Sequence, residues 1–169
     1  MKLLGFILIT LSSTVCGMCY VADKKEQIKD MESLCMMLEL MLGELSFNLA
    51  PIPELIEKLS HKLDGKASTF VKLLSVNIAA LGEKPLPIIW SESVAACSLS
   101  LGDNEYRAVD ELGKVLGRYD IKLQIEYITA VLRLLTDTLT RGRAAIPEIK
   151  RTCVGVSMSA GAILSILLV

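Results

Sequence analysis

Apolar residues recur at alternating steps of three and four along two long segments of the chain. In the first segment these positions are Ile28, Met31, Cys35, Leu38, Leu42, Leu45 and Leu49. In the second segment they are Ile121, Ile125, Ile128, Leu132, Leu135 and Leu139. This spacing is typical of helices that pack lengthwise against a partner helix. It predicts two long antiparallel helices, Asp23–Leu49 and Asp120–Ile146, lying side by side.

Prolines and glycines divide the segment between the two long helices into four amphipathic stretches. The helices that these stretches predict are Glu54–Leu63, Ala67–Leu81, Ile88–Leu99 and Asn104–Leu116. A tight corner follows, in which Gly117 can take the left-handed conformation that ends a helix. Asp120 can then cap the helix after it. We expect an all-α fold in which the four shorter helices form a cap on the far end of the long pair.

Two segments without a charged residue flank this predicted helical domain, at 3–22 and 152–169. A helix of about 20 apolar residues crosses the hydrocarbon core of a membrane. The first segment could also be a cleaved signal peptide, although no small-residue cleavage motif precedes its charged flank. The predicted organisation is therefore a transmembrane helix at 1–22, a helical domain at 23–151 and a second transmembrane helix at 152–169. Pro147 predicts a kink or interruption just before the second span.

The basic residues nearest to the predicted spans lie on the side of the middle domain. This bias predicts a cytosolic middle domain with both termini across the membrane. Small residues in the second span recur at spacings of four and are Gly155, Ser157, Ser159, Gly161 and Ser165. Such a stripe lets membrane helices pack closely, although small residues are also simply common in membrane helices.

Composition and motifs argue against chemistry and against nucleic acid. The net charge is −1 and aromatic residues make up 5% of the chain, so neither a basic stripe nor a stacking platform is available for nucleic acid. The single histidine, His61, cannot form a paired-histidine metal site, and no phosphate-binding or esterase motif is present. The carboxylates Asp110, Glu111 and Glu126 alternate with basic residues, as on a solvated helix face. We predict no enzymatic activity, no metal or cofactor, and no small-molecule substrate.

Three parts of the sequence resemble the stage III sporulation protein AB family. They are the start Lys2–Gly5 before an apolar span, the stretch Leu38–Leu59, and the corner Leu112–Asp120 followed by Gln124. Trp90 and the glycine-containing C-terminal segment also stand where the family has them. Two departures are Tyr119, where the family pattern usually has serine, and Pro147, which interrupts a helix that looks continuous in the family.

The resemblance implies a membrane protein without enzymatic activity in a secretion-like complex that joins mother cell and forespore. By this likeness it lies on the mother-cell side, in the outer forespore membrane, with its central domain cytosolic. The family is similar to the cytoplasmic domains of F-type platform proteins of type II secretion machines. Its implied partners are therefore a cytosolic ATPase and the other membrane subunits of the complex.

The sequence leaves three functional hypotheses in different classes. The first is an assembly platform that contacts its partners through exposed residues of the corner, Arg118, Tyr119 and Asp120. Trp90 is either a core residue or an interface anchor, and it joins the candidate contact residues. The second is a membrane-bound enzyme that uses carboxylates, and the third is a carrier for a small solute. The uncharged segments 3–22 and 152–169 contain no ionisable side chain except cysteine and tyrosine, which disfavours a carrier.

Overall fold

The computed structural model describes the backbone of residues 2–47, 51–78 and 84–168. The side chains of residues 2–14, 16, 17, 150, 153, 154 and 157–168 lie outside the description. Within these limits the chain forms six α-helices, which confirms the all-α prediction. They are α1 (Lys2–Phe47), α2 (Ile52–Ser60), α3 (Gly65–Asn77), α4 (Leu86–Ala96), α5 (Asp103–Val115) and α6 (Ile121–Leu168).

The chain divides into two compact units. One unit comprises Met1–Glu26 and Thr140–Val169, and the other, which we call the helical domain, comprises Gln27–Leu139. The helical domain contains α2 to α5 together with the C-terminal part of α1 and the N-terminal part of α6. Most of the buried apolar residues described below belong to it.

The breaks between helices fall close to where proline and glycine predict them. Pro53 lies in the first turn of α2, which begins two residues earlier than predicted, after Pro51. Pro85 likewise precedes α4. A proline suits the start of a helix because the amide that it lacks has no partner inside the helix there.

The sequence predicts a kink or an interruption at Pro147, and the predicted interruption is wrong. Helix α6 includes Pro147 in a continuous run to Leu168. A proline at this position removes the hydrogen bond to the carbonyl of Arg143, four residues back. Both residues are exposed, so water can solvate the carbonyl that loses its partner.

Helices α1 and α6 are neighbours in the helical domain and run antiparallel, as predicted. The Sγ atom of Cys35 on α1 lies 3.9 Å from Oγ1 of Thr136, which is near the C-terminal end of the part of α6 that belongs to the helical domain. A Cβ atom on Gly117, just before α6, would lie 3.8 Å from Cγ1 of Ile52, just after α1. The end of α1 therefore lies near the start of α6.

Burial on α1 is wider than the predicted seam. The seam positions Met31, Cys35, Leu38 and Leu45 are buried, but so are Leu34, Met37 and Met41. At 3.6 residues per turn the buried positions cover an arc of roughly 160°. The seam faces α6, and the additional residues form a second apolar face beside it. The interaction is thus not that of a simple two-helix seam.

The second face of α1 packs against the shorter helices, which corrects the prediction that they cap the far end of the long pair. Lys58 of α2 and Lys62, in the turn after α2, pair with Glu44 at 3.5 and 3.3 Å. Further back along α1, the backbone amide of Ala67 donates to Oγ of Ser33 at 3.4 Å. The shorter helices therefore lie alongside α1 over a length of about 20 Å.

A buried polar cluster fastens the shorter helices to α1 at Asp30, which is 4% exposed. Its Oδ2 atom accepts a hydrogen bond from the backbone amide of Ser100 at 2.9 Å and lies 3.4 Å from Nζ of Lys66. The Lys66 ammonium also donates to the Ser98 carbonyl at 2.9 Å. Burial raises the pKa of the neighbouring Cys97 thiol, which donates to the Lys66 carbonyl at 3.4 Å. The cluster thus connects α1, α3 and the loop between α4 and α5.

The structure resolves the two alternatives for Trp90 in favour of the core. The side chain is 1% exposed, and its Nε1 atom donates to the Val109 carbonyl at 2.8 Å. Its ring meets that of Phe70 edge to face, with centroids 5.0 Å apart. Trp90 therefore offers no surface to a partner and leaves the set of candidate contact residues.

Among the residues that the structure describes, no helical stretch has both the length and the apolar character needed to cross a membrane. The side chains of the predicted spans mostly lie outside the description. Of the predicted small-residue stripe, Gly155 is exposed, and no side-chain account covers Ser157, Ser159, Gly161 or Ser165.

Gly113 on α5 generates a first prediction, because the Trp90 ring occupies the space of its missing side chain. A Cβ atom there would overlap the ring and lie 2.6 Å from Cβ of Trp90. We expect Gly113→Ala to lower the free energy of unfolding by about 1–3 kcal/mol, the usual cost of overpacking. Urea titration of the purified chain, followed by far-UV circular dichroism, measures this change.

Gly43 on α1 is the matched control, since nothing lies within 4 Å of a Cβ atom placed there. Gly43→Ala should raise the free energy of unfolding by roughly 0.5–1 kcal/mol, because alanine favours the helix. Equal effects from the two substitutions would contradict the packing of Trp90 against Gly113.

The Asp30 cluster generates a second prediction. Asp30→Ala leaves the Ser100 amide without its acceptor and should cost about 1–3 kcal/mol of the free energy of unfolding. Glu39→Ala, an exposed carboxylate on the same helix, should change that free energy by less than about 0.5 kcal/mol. A similar small loss in both variants would show that the cluster does not fasten the helices.

Candidate partner-binding site at the helix corner

The corner between α5 and α6 is built on a left-handed glycine, as the sequence predicts. Gly117 has φ +74°, a conformation that costs glycine little and other residues more. The backbone amide of Arg118 donates to the Val115 carbonyl at 3.3 Å and closes the turn. Five residues, 116–120, connect α5 to α6, and α6 starts directly after Asp120.

Gln124 holds the corner against the first turn of α6. Its side chain is 5% exposed, and its Nε2 atom donates to the Tyr119 carbonyl at 2.7 Å. Its backbone amide donates to the Asp120 carbonyl at 3.1 Å, which is the first hydrogen bond of the helix. Both bonds fix the backbone of the corner, so the side chains of the corner residues project from a defined frame.

The three predicted corner residues lie together at the surface. Arg118, Tyr119 and Asp120 are all exposed, and Tyr119 is 55% exposed. An exposed tyrosine presents a large, fairly rigid apolar surface with a polar end, which suits an interface. The geometry is therefore compatible with the predicted contact surface.

An open cleft of about 350 Å³ adjoins the corner. Its lining comes from the start of α2, the start of α4 and the corner, and consists of Ile52, Pro53, Pro85, Leu86, Pro87, Leu116, Gly117 and Arg118. The lining is mainly apolar, and Arg118 is its one charged residue. We call this feature the corner cleft.

Of the three walls of the corner cleft, the α5–α6 corner was predicted from the sequence. The other two walls come from helix starts that each carry two prolines separated by one residue, Pro51 with Pro53 and Pro85 with Pro87, and all of these except Pro51 line the cleft. Each pair stands at the start of a helix, and this repetition was the available signal. The sequence does not show that both helix starts lie beside the α5–α6 corner at one end of the helical domain.

The charges around the corner are mainly positive. Lys114, Arg118 and Lys122 are exposed, and their side chains form no ion pair or hydrogen bond with the residues that the structure describes. By contrast, Lys84 beside the cleft pairs with Glu92 at 2.8 Å. Asp120 is the one acidic residue between Lys114 and Lys122.

The candidate carboxylates have different surroundings: Oδ1 of Asp110 is buried without a hydrogen-bond partner in the described part of the chain, whereas Glu111 has a structural contact. Glu111 accepts a hydrogen bond from the Tyr127 hydroxyl at 3.2 Å, which ties α5 to α6. Burial and this bond raise the pKa of Tyr127, so its hydroxyl stays protonated as the donor. Within the described part of the chain, no group of three histidine, cysteine, aspartate or glutamate residues could hold a metal ion.

The comparisons with known proteins agree with the resemblance in the sequence. A family model described as stage III sporulation protein AB matches residues 2–169. A solved structure of stage III sporulation protein AB is similar with a TM-score of 0.64 at 21% identity. The similarity covers 72% of this chain and 97% of that one, and it supports the helical fold. Among curated proteins, none matches this chain.

Proposed function

This chain belongs to the stage III sporulation protein AB family, and we propose that it serves as a non-enzymatic platform in a secretion-like complex. In this proposal the complex joins mother cell and forespore, and the chain is its component in the outer forespore membrane. The helical domain lies in the mother-cell cytosol and gives a cytosolic ATPase and other membrane subunits a surface on which to assemble.

The corner cleft is the observation that carries the platform proposal. An exposed arginine lines this apolar depression and the exposed Tyr119 follows it in the corner, and both residue types are enriched at interface hot spots. Glycine, proline and the buried Gln124 fix the backbone around it. A surface that is already ordered loses little conformational entropy when a partner binds, which favours binding.

The membrane component of the proposal is supported by the two uncharged segments, 3–22 and 152–169. In the aqueous phase such segments would expose many apolar side chains, while in a bilayer each forms a helix whose backbone is satisfied internally. Helices α1 and α6 extend through these segments. The distribution of basic residues favours a cytosolic helical domain.

Removing the exposed side chains of the corner should weaken assembly without unfolding the domain. We expect the double variant Arg118→Ala, Tyr119→Ala to recover about tenfold less of the other complex members in pull-downs from sporulating cells, as hot-spot truncation does. Its far-UV circular dichroism and urea midpoint should match those of the wild type, because neither side chain is buried.

The double variant Lys72→Ala, Val76→Ala is the matched control. It removes one cation and one exposed apolar side chain from α3, where Val76 is 72% exposed. Its recovery of partners should equal that of the wild type. Unchanged recovery with the corner variant would remove the corner as the contact site.

Membrane insertion predicts a distinct behaviour of the full chain on fractionation. The chain should stay with the membrane pellet after extraction at alkaline pH, since two apolar spans resist release. In inside-out vesicles added protease should digest the region 23–151, and in right-side-out vesicles this region should be protected. Release of the chain into the supernatant, or the reverse protection pattern, would contradict the proposed topology.

A further inference from the structure

We infer that the corner cleft binds a partner segment in which an apolar side chain stands within a few residues of an aspartate or glutamate. This inference rests on the proposed platform function and specifies the chemistry of the partner. In the complex, the apolar side chain enters the cleft and the carboxylate pairs with Arg118.

The size of the corner cleft limits what can enter. Its volume of about 350 Å³ lies at the low end of the range for clefts that bind small ligands. Its walls are proline and aliphatic side chains, which offer few groups for hydrogen bonding. One or two apolar side chains fit these properties better than a polar or charged group does.

The charge beside the cleft selects for acidic partners. Arg118 lines the cleft, and its guanidinium has no ion-pair partner within the described part of the chain. An arginine can hold a carboxylate through two parallel hydrogen bonds. Lys114 and Lys122, within four residues on either side, add positive charge.

Several other lysines of the helical domain are paired with carboxylates, although Lys72 on α3 has no such partner among the described residues. Lys58, Lys62 and Lys66 lie within 4 Å of carboxylates of the same chain. Helix stability does not explain Lys122 either, because a cation in the first turn of a helix is disfavoured by the helix dipole. The unpaired cations at the corner are thus complementary to an acidic partner.

Exposed apolar side chains surround the corner cleft. Tyr119 is 55% exposed, Ile88 next to Pro87 is 47% exposed, and Ile121 after the corner is 37% exposed. They extend the apolar surface of the cleft to both sides of Arg118. A segment in an extended or helical conformation could therefore place apolar residues on this surface and a carboxylate near Arg118.

Photocrosslinking of the full chain in sporulating cells identifies the occupant of the surface. The photoreactive residue p-benzoylphenylalanine replaces Tyr119, and mass spectrometry identifies the partner peptide that becomes attached. We expect that peptide to contain an apolar residue within about four positions of an aspartate or glutamate. A peptide without an acidic residue, or the absence of any adduct, would overturn the inference.

A second experiment uses the crosslinked partner segment as a synthetic peptide with blocked ends and a fluorescein label. It measures the Kd of this peptide for the purified full chain. Arg118→Glu should raise its Kd about tenfold or more, whereas Arg118→Lys should raise it about threefold at most. Lys72→Glu, which reverses an unpaired cation on α3, should leave the Kd unchanged. Added salt should weaken wild-type binding more than binding to Arg118→Ala.

The outcomes separate this inference from the platform proposal. If Arg118→Ala, Tyr119→Ala reduces recovery of the complex but the crosslinked peptide is not acidic, the platform stands and the acidic partner is excluded. A Kd insensitive to Arg118→Glu has the same meaning. If recovery of the complex is unaffected by the double variant, both the corner contact and the acidic partner are excluded.

Discussion

The helical domain depends on the burial of α1 along two adjacent faces at once. One face meets α6 through the seam that includes Cys35, and the other meets the shorter helices through residues such as Leu34 and Met41. Because both faces belong to one rigid helix, α6 and the shorter helices are held in register with each other. The corner cleft exists only because of this register, since its walls come from α2, α4 and the α5–α6 corner.

Close approach between α4 and α5 provides the second constraint. Trp90 can reach the Val109 carbonyl because Gly113, one turn further along α5, has no side chain in its path. Phe70 of α3 closes the ring on another side. This contact sets the position of α5, and therefore of the corner that follows it. Trp90 was also a candidate contact residue in the sequence. It acts indirectly instead, because it fixes the position of α5 and so of the corner that displays Arg118, Tyr119 and Asp120.

The sequence predicted the helices better than their packing. Proline and glycine have local effects on the backbone, so the breaks and the left-handed Gly117 could be read directly. The seam was also readable, because lengthwise packing has a simple period. The second face of α1 consists of apolar residues such as Leu34, Met37 and Met41, which lie outside the three-four repeat and therefore had no predicted partner. For that reason the shorter helices were placed at the end of the long pair instead of alongside it.

The corner cleft was partly beyond prediction for a physical reason. Its three walls come from segments that are distant in sequence, and only the tertiary packing brings them together. Its exposed corner residues could be proposed because a tight turn between two helices must lie at the surface. Whether Arg118 is available to a partner, however, depends on whether a carboxylate of the same chain pairs with it, and spacing along the sequence does not reveal this.

The same packing explains how a small surface can be both rigid and open. Leu116 and Ile52 line the cleft, and their side chains also belong to the apolar core, where they are 0% and 9% exposed. The floor of the cleft is thus the outer layer of the core itself. A partner side chain that enters it extends the core, and it gains apolar contacts without requiring the domain to rearrange. Charged residues at the rim then determine which apolar segments bind, because an unpaired arginine disfavours a basic segment and favours an acidic one.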